Sequence, residues 1–177
     1  MPSEPLNSPK NQSLRIPQGR SDTVPLAPRV IALDLEGTLI SNAVSVFPRP
    51  GLHAFLEFCR AAFEKVVLFS TVRPERLRAI TQSLCDEGST PPWFAAVERV
   101  EWSGPTKDLR FVVGFEPPEV LLVDDQERYV APAQKGQWIP VAEFAPPYSS
   151  DDSELARIQN EILRRISPEC HARGSRY

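Results

Sequence analysis

The amino-acid sequence predicts an α/β fold, an open, mostly parallel sheet with helices on both faces. Two observations lead there. The runs Val30-Ile31-Ala32-Leu33, Val66-Val67-Leu68-Phe69 and Val120-Leu121-Leu122-Val123 are short, continuously apolar and rich in β-branched residues, as strands buried on both sides are. The segments between them show helical periodicity, and strands that alternate with helices join through right-handed crossovers into a parallel sheet.

The elements follow in order. Residues 1–28 hold six of the 19 prolines among polar residues with no apolar period. Such a composition cannot offset the entropy of ordering, so a disordered arm is expected there. The domain is expected over 29–167, with a flexible tail at 168–177. After the first strand, Pro50 suits the first turn of a helix whose Leu52, Phe55, Leu56, Cys59 and Phe63 recur at one-face spacing. Pro74 opens a second helix with Leu77, Ile80 and Leu84 inward, ending near Gly88. Val97 to Trp102 is a weaker strand candidate, and Thr106 can cap a short helix opened by Lys107. Trp138-Ile139-Pro140-Val141 reads as an edge strand, because its proline would break a central ladder. Asp151 and Glu154 have capping-box spacing ahead of a last amphipathic helix carrying Leu155, Ile158, Ile162 and Ile166.

With 177 residues, 41% apolar and 24% charged, the chain suits one soluble domain. A net charge of −3 argues against nucleic acid as a stable partner, and Arg73, Arg76 and Arg78 read as a solvated helix surface. Cys59, Cys85 and Cys170 are odd in number and in no metal-binding spacing, which favours a reducing, cytoplasmic setting without disulfides or zinc. The apolar runs are strand-sized and the start of the chain is polar, so neither membrane spanning nor export is expected.

Polar groups at the carboxyl ends of parallel strands converge on one crevice. Here the strong strands end in Asp34-Leu35-Glu36-Gly37-Thr38, in Ser70-Thr71 and in Asp124-Asp125. A lone acidic residue after a strand is ordinarily a cap or turn former, and a lone lysine such as Lys107 is ordinarily solvated. Together they mean more. Carboxylates gathered in one crevice repel unless a lysine or a hard cation offsets them, and magnesium takes a few carboxylates plus water and phosphate oxygens. Ser70 and Lys107 supply a hydroxyl and a positive charge that suit a phosphate.

In this order the motifs resemble the haloacid dehalogenase (HAD) superfamily, with its Rossmann-type fold: DxDGT after the first strand, Ser/Thr after the second, lysine, then an acidic pair. The resemblance covers roughly residues 29 to 145 and implies a magnesium-dependent phosphatase. It makes Asp34 the nucleophile, forming an aspartyl phosphate, and Glu36 the acid and base. Ser70 and Lys107 would hold the phosphoryl oxygens. Asp34, the backbone carbonyl of Glu36 and Asp124 would ligate magnesium, with Thr38 and Asp125 in support. Glu36 stands where the superfamily usually has aspartate. Within the superfamily the second half is similar to the NLI-interacting-factor-like branch, which includes the small phosphatases of the RNA polymerase II C-terminal domain. The stretches that carry this are Lys107-Asp108-Leu109, Val120 to Asp125, Tyr129-Val130 and Trp138 to Val141.

The branch also contains binding scaffolds, so a non-catalytic HAD-like interaction domain is the alternative, with retention of Asp34, Lys107 and Asp124 against it. Receiver domains use similar groups in the reverse order, and no Gly-rich nucleotide loop is present. The segments between Asp34 and Ser70, and between Ser70 and Lys107, are already taken up by predicted elements. They leave no room for a cap domain, so the expected substrate is a bulky phosphate, such as a phosphoprotein, reaching an open crevice.

Overall fold

The computed structural model describes residues 27–167, so all but the last two residues of the expected arm and the whole expected tail lie outside the described residues. The strands are β1 (Val30–Leu33), β2 (Lys65–Leu68), β3 (Glu98–Arg99), β4 (Val120–Asp124) and β5 (Trp138–Pro140). The α-helices are α1 (Leu52–Ala62), α2 (Pro74–Asp86) and α3 (Glu154–Ile166). All strand pairs are parallel, in the order β3-β2-β1-β4-β5.

The apolar run of β1 makes it the central strand, with no residue exposed. Leu33 stands opposite both Leu68 of β2 and Val123 of β4, so the three strands end level. That register brings together the polar residues that follow them.

Alternation along the strands divides the core in two. Ile31, Leu33, Val66, Leu68, Leu121 and Val123 pack against the apolar faces of all three α-helices. Val30, Ala32, Val67, Phe69, Val120 and Leu122 pack instead against Val100, Leu109, Val112 and Val130, from loops and 3-10 turns. Helical segments thus cover both faces, but asymmetrically. Each fully buried Leu, Ile or Phe contributes about 1.5–3 kcal/mol, and on the helical side they come from strands, loops and helices alike.

Several boundaries differ from the sequence expectation, each for a local reason. β3 is cut to two residues because the chain turns away after Val100, whose amide still donates to the Leu68 carbonyl. Lys107 opens no α-helix. It lies in an extended bridge with Val130, followed by a single 3-10 turn, Leu109–Phe111, capped by Asp108 rather than Thr106. Gly114, Pro117 and Pro118 deny that stretch anything longer. Pro50 precedes α1, whose N-cap is Gly51 in the left-handed region. The Asp151–Glu154 capping box does not form. Ser153 takes the N-cap position, Asp152 accepts from the Glu154 amide, and Glu154 accepts from the Ala142 amide.

Between Asp34 and Ser70 the chain holds only a loop, α1 and β2; between Ser70 and Lys107 it holds α2, a 3-10 turn and β3. Among the described residues no cap domain covers the strand ends.

Candidate active site

Backbone pairing continues one residue past β1: the Asp34 amide donates to the Val123 carbonyl at 2.9 Å, which sets Asp34 beside Asp124, the last residue of β4. The Lys107 amide donates to the Tyr129 carbonyl at 2.7 Å, which aims the lysine side chain at the same point. Its Nζ donates to Asp34 Oδ1 at 2.7 Å and to Asp124 Oδ2 at 2.5 Å, with the Tyr129 ring 5.6 Å away. Lys107 and Asp124 are buried, while Asp34 keeps 6% of its surface exposed at the floor of a cleft.

Burial pushes the Asp34 carboxyl up to about 7; the Lys107 charge pulls the other way and the Asp124 charge adds to the rise. Burial likewise raises Asp124, against the pull of Lys107. Burial also works against the Lys107 ammonium, but its two carboxylate partners outweigh it and raise the lysine. Burial thus outweighs the single ammonium at both aspartates. Oxygens of Asp34, Asp124 and Asp125 lie within 4.8 Å of one another, a hard-oxygen donor set able to hold a metal ion. The Glu36 carbonyl accepts no backbone hydrogen bond among the described residues, so it too is available as a ligand.

Asp125 is fixed beside this cluster. Thr38 Oγ1 donates to its Oδ1 at 3.3 Å and Gln126 Nε2 to its Oδ2 at 2.5 Å. Gly37 passes over it at φ +74°, where an added Cβ would stand 2.7 Å from Asp125 Oδ2. Only glycine allows that approach. The Glu36 carboxylate leans into the cleft and accepts from the Ala43 amide at 2.6 Å.

Asp34, Glu36, Asp125, Thr71, Arg128 and Tyr129 are among the residues lining this cleft, whose volume is about 320 Å³. Ser70 is fully buried beneath it: its hydroxyl accepts from the Val72 amide, and its carbonyl accepts from the Trp102 indole. The neighbouring Thr71 is the hydroxyl that lines the cleft wall.

Two arginines carry more of the site than their sequence context suggests. Arg49 is buried, pairs with Asp152 through two 2.9 Å bonds, and donates to the Thr38 carbonyl at 3.2 Å and the Ala142 carbonyl at 2.9 Å. Nothing in Pro48-Arg49-Pro50 announces this role. Arg76 is exposed at the start of α2, yet both its Nε and Nη2 donate to the Ala43 carbonyl. A solvated surface was the expectation for it, because helical spacing carries no trace of a loop partner 33 residues away.

The profile of the NLI interacting factor-like phosphatases matches residues 29–173, which spans the described fold and every residue of this cleft. The chain belongs to that family. It is also similar to an uncharacterised FCP1 homology domain-containing protein of Schizosaccharomyces pombe, 31% identical over 86 residues. That match covers 41% of this chain and 35% of the yeast protein, so the chain spans about a third of its relative. In this NLI interacting factor-like phosphatase domain, the acidic cluster stands at the ends of parallel strands, where α/β folds place their ligands. Among the described residues no helix is long and apolar enough to cross a membrane.

Proposed function

We propose that this domain is a magnesium-dependent phosphomonoester hydrolase that works through an aspartyl phosphate on Asp34 and serves bulky or macromolecular phosphates. The observation that carries the reading is the convergence of Asp34, Lys107, Asp124 and Asp125 at the floor of a solvent-open cleft.

A carboxylate oxygen of Asp34 forms a bond to phosphorus while the bond to the substrate's ester oxygen breaks. Glu36 gives its proton to that leaving oxygen, then takes a proton from the water that attacks the aspartyl phosphate, releasing inorganic phosphate. Lys107, fixed by the two aspartates, and the Ser70–Thr71 turn bind the phosphoryl oxygens. Magnesium, held by Asp34, the Glu36 carbonyl and Asp124 with Asp125 in support, would neutralise the charge of the carboxylates and the phosphoryl group. The acidic cluster suits it, since oxygens of Asp34, Asp124 and Asp125 lie within 4.8 Å of one another.

The absence of a cap favours a phosphate presented on a large molecule, because the open cleft offers few contacts to a small one. The test is a magnesium titration over phosphopeptides, polynucleotide ends, nucleotides and sugar phosphates, with Asp34→Asn as control. The expected outcome is higher kcat/KM for macromolecular phosphates, and no turnover by a folded Asp34→Asn protein. Near-normal turnover by that variant removes the nucleophile assignment. A sugar phosphate cleaved at about 10⁵ M⁻¹s⁻¹ with phosphopeptides and polynucleotide ends untouched overturns the substrate class. No turnover of any substrate with magnesium bound returns the domain to the scaffold reading.

A further inference from the structure

We infer that Arg76 is a positioning residue for Glu36, acting through the Ala43 peptide. The inference rests on the acid and base role proposed for Glu36, and it accounts for how a glutamate serves in this position.

The relay consists of three groups. Arg76, in the first turn of α2, donates from Nε at 2.8 Å and from Nη2 at 2.5 Å to the Ala43 carbonyl. The amide of the same residue donates to Glu36 Oε1 at 2.6 Å. A guanidinium that engages a carbonyl with two donors fixes its direction as well as its distance. The peptide plane of residues 42 and 43 and that of 43 and 44 share the Ala43 Cα, so holding the carbonyl limits where the amide can swing.

The segment around Ala43 cannot hold this geometry by intrinsic preference. Val46 stands at φ +53°, a region a β-branched residue enters only at a cost of about 1–3 kcal/mol. Neighbouring bonds oppose that strain: Asn42 Oδ1 accepts from the Val44 and Ser45 amides, and Ser41 and Phe47 exchange hydrogen bonds. All of these lie within the loop itself. Arg76 is its tie to α2, on the side of the cleft where Thr71 stands.

The consequence bears on the extra methylene of glutamate. A longer side chain has one more rotatable bond, and a misplacement of ~1 Å in a reacting group can lower the rate about a hundredfold. Binding one carboxylate oxygen to the Ala43 amide selects one rotamer and leaves the other oxygen for the proton. Without Arg76 the loop gains freedom, the amide wanders, and Glu36 samples unproductive positions.

The test measures the phosphorylation half-reaction, as the burst of alcohol released, on an alkyl phosphopeptide and on an aryl phosphate whose leaving group needs no proton. For Arg76→Ala the expected result is a burst rate about tenfold lower on the alkyl ester and within twofold of the parent on the aryl ester, with KM unchanged. Arg76→Lys should recover part of the loss. In a Glu36→Gln background, Arg76→Ala should cost nothing more. By NMR, the Ala43 amide should exchange with solvent at least tenfold faster in Arg76→Ala, an effect visible without substrate. Equal losses on both esters, additivity with a slow Glu36→Gln, or unchanged Ala43 exchange overturns the relay and leaves the acid and base role standing. A Glu36→Gln protein with a normal alkyl burst overturns that role, and the relay with it. Arg76 is exposed, so urea midpoints of the variants should match the parent.

Discussion

Replacing Arg49 by methionine should cost about 2–4 kcal/mol of stability. Methionine keeps much of the packing against Phe144, whose ring lies 5.1 Å from the guanidinium carbon, but removes every donor. The Thr38 carbonyl, in a residue with no exposure, then has no backbone donor among the described residues, a loss of about 1–3 kcal/mol. The two bonds to Asp152 add about 1.5–3 kcal/mol, reduced because Asp152 and the Ala142 carbonyl can turn to water and because a buried guanidinium is no longer desolvated. For a domain of this size the midpoint of thermal unfolding should fall by roughly 8–16 °C. The reverse change, Asp152→Asn, leaves a 99% buried guanidinium without its counter-charge and should cost more, about 3–5 kcal/mol. The double variant should resemble Arg49→Met alone. Urea unfolding followed by circular dichroism, at constant m-value, measures all three. A cost below about 1 kcal/mol for Arg49→Met, or simple additivity in the double variant, would refute the view that Arg49 pins the loop that follows β1.

Two further outcomes follow from the same region. Hydrogen bonding from Arg49 holds the Asp152 carboxyl below the usual range. A group whose folded-state pKa is depressed stabilises above its unfolded value of about 4 and loses that contribution as pH falls through the folded value, so acid should destabilise the parent more steeply than Asp152→Asn. Gly37→Ala should cost about 1–2 kcal/mol from the positive φ and also displace Asp125, weakening the proposed magnesium binding in calorimetry. A variant with parental affinity and stability would show that this approach is looser than described.

The central strands and all three helices were legible because burial on two faces leaves unbroken apolar runs and burial on one face leaves a period of 3.6. The meeting of Asp34 and Asp124 was legible because they stand at the ends of adjacent strands, and Lys107 was singled out only by its place in the motif order of the superfamily the sequence resembles. Arg49 was not, since its partners are backbone carbonyls and Asp152, and a carbonyl has no letter in the sequence. The same holds for Arg76 and the Ala43 peptide. Thr106 and Asp151 failed as caps for a different reason: nearby aspartates take the end hydrogen bonds, Asp108 from the Arg110 amide at the 3-10 turn and Asp152 from the Glu154 amide at the start of α3. β3 was overestimated because an edge strand ends where its neighbour does, and β2 offered it only Val67 and Leu68.

The level ends of β1 and β4 also bear on how the chain folds. Val30 meets Val120 across most of the domain's length, and the two strands are joined only after α1, β2, α2 and β3 have been threaded between them in sequence. Closing so long a loop is entropically unfavourable until the apolar contacts of β4 are made, so this pairing should form late and slowly. Asp34 and Asp124 are brought together by that event. A partly folded chain therefore has Asp34 without its neighbours, and if Asp34 is the nucleophile proposed above, competence to take phosphate should appear in refolding with the last kinetic phase, in step with protection of the β1 and β4 amides.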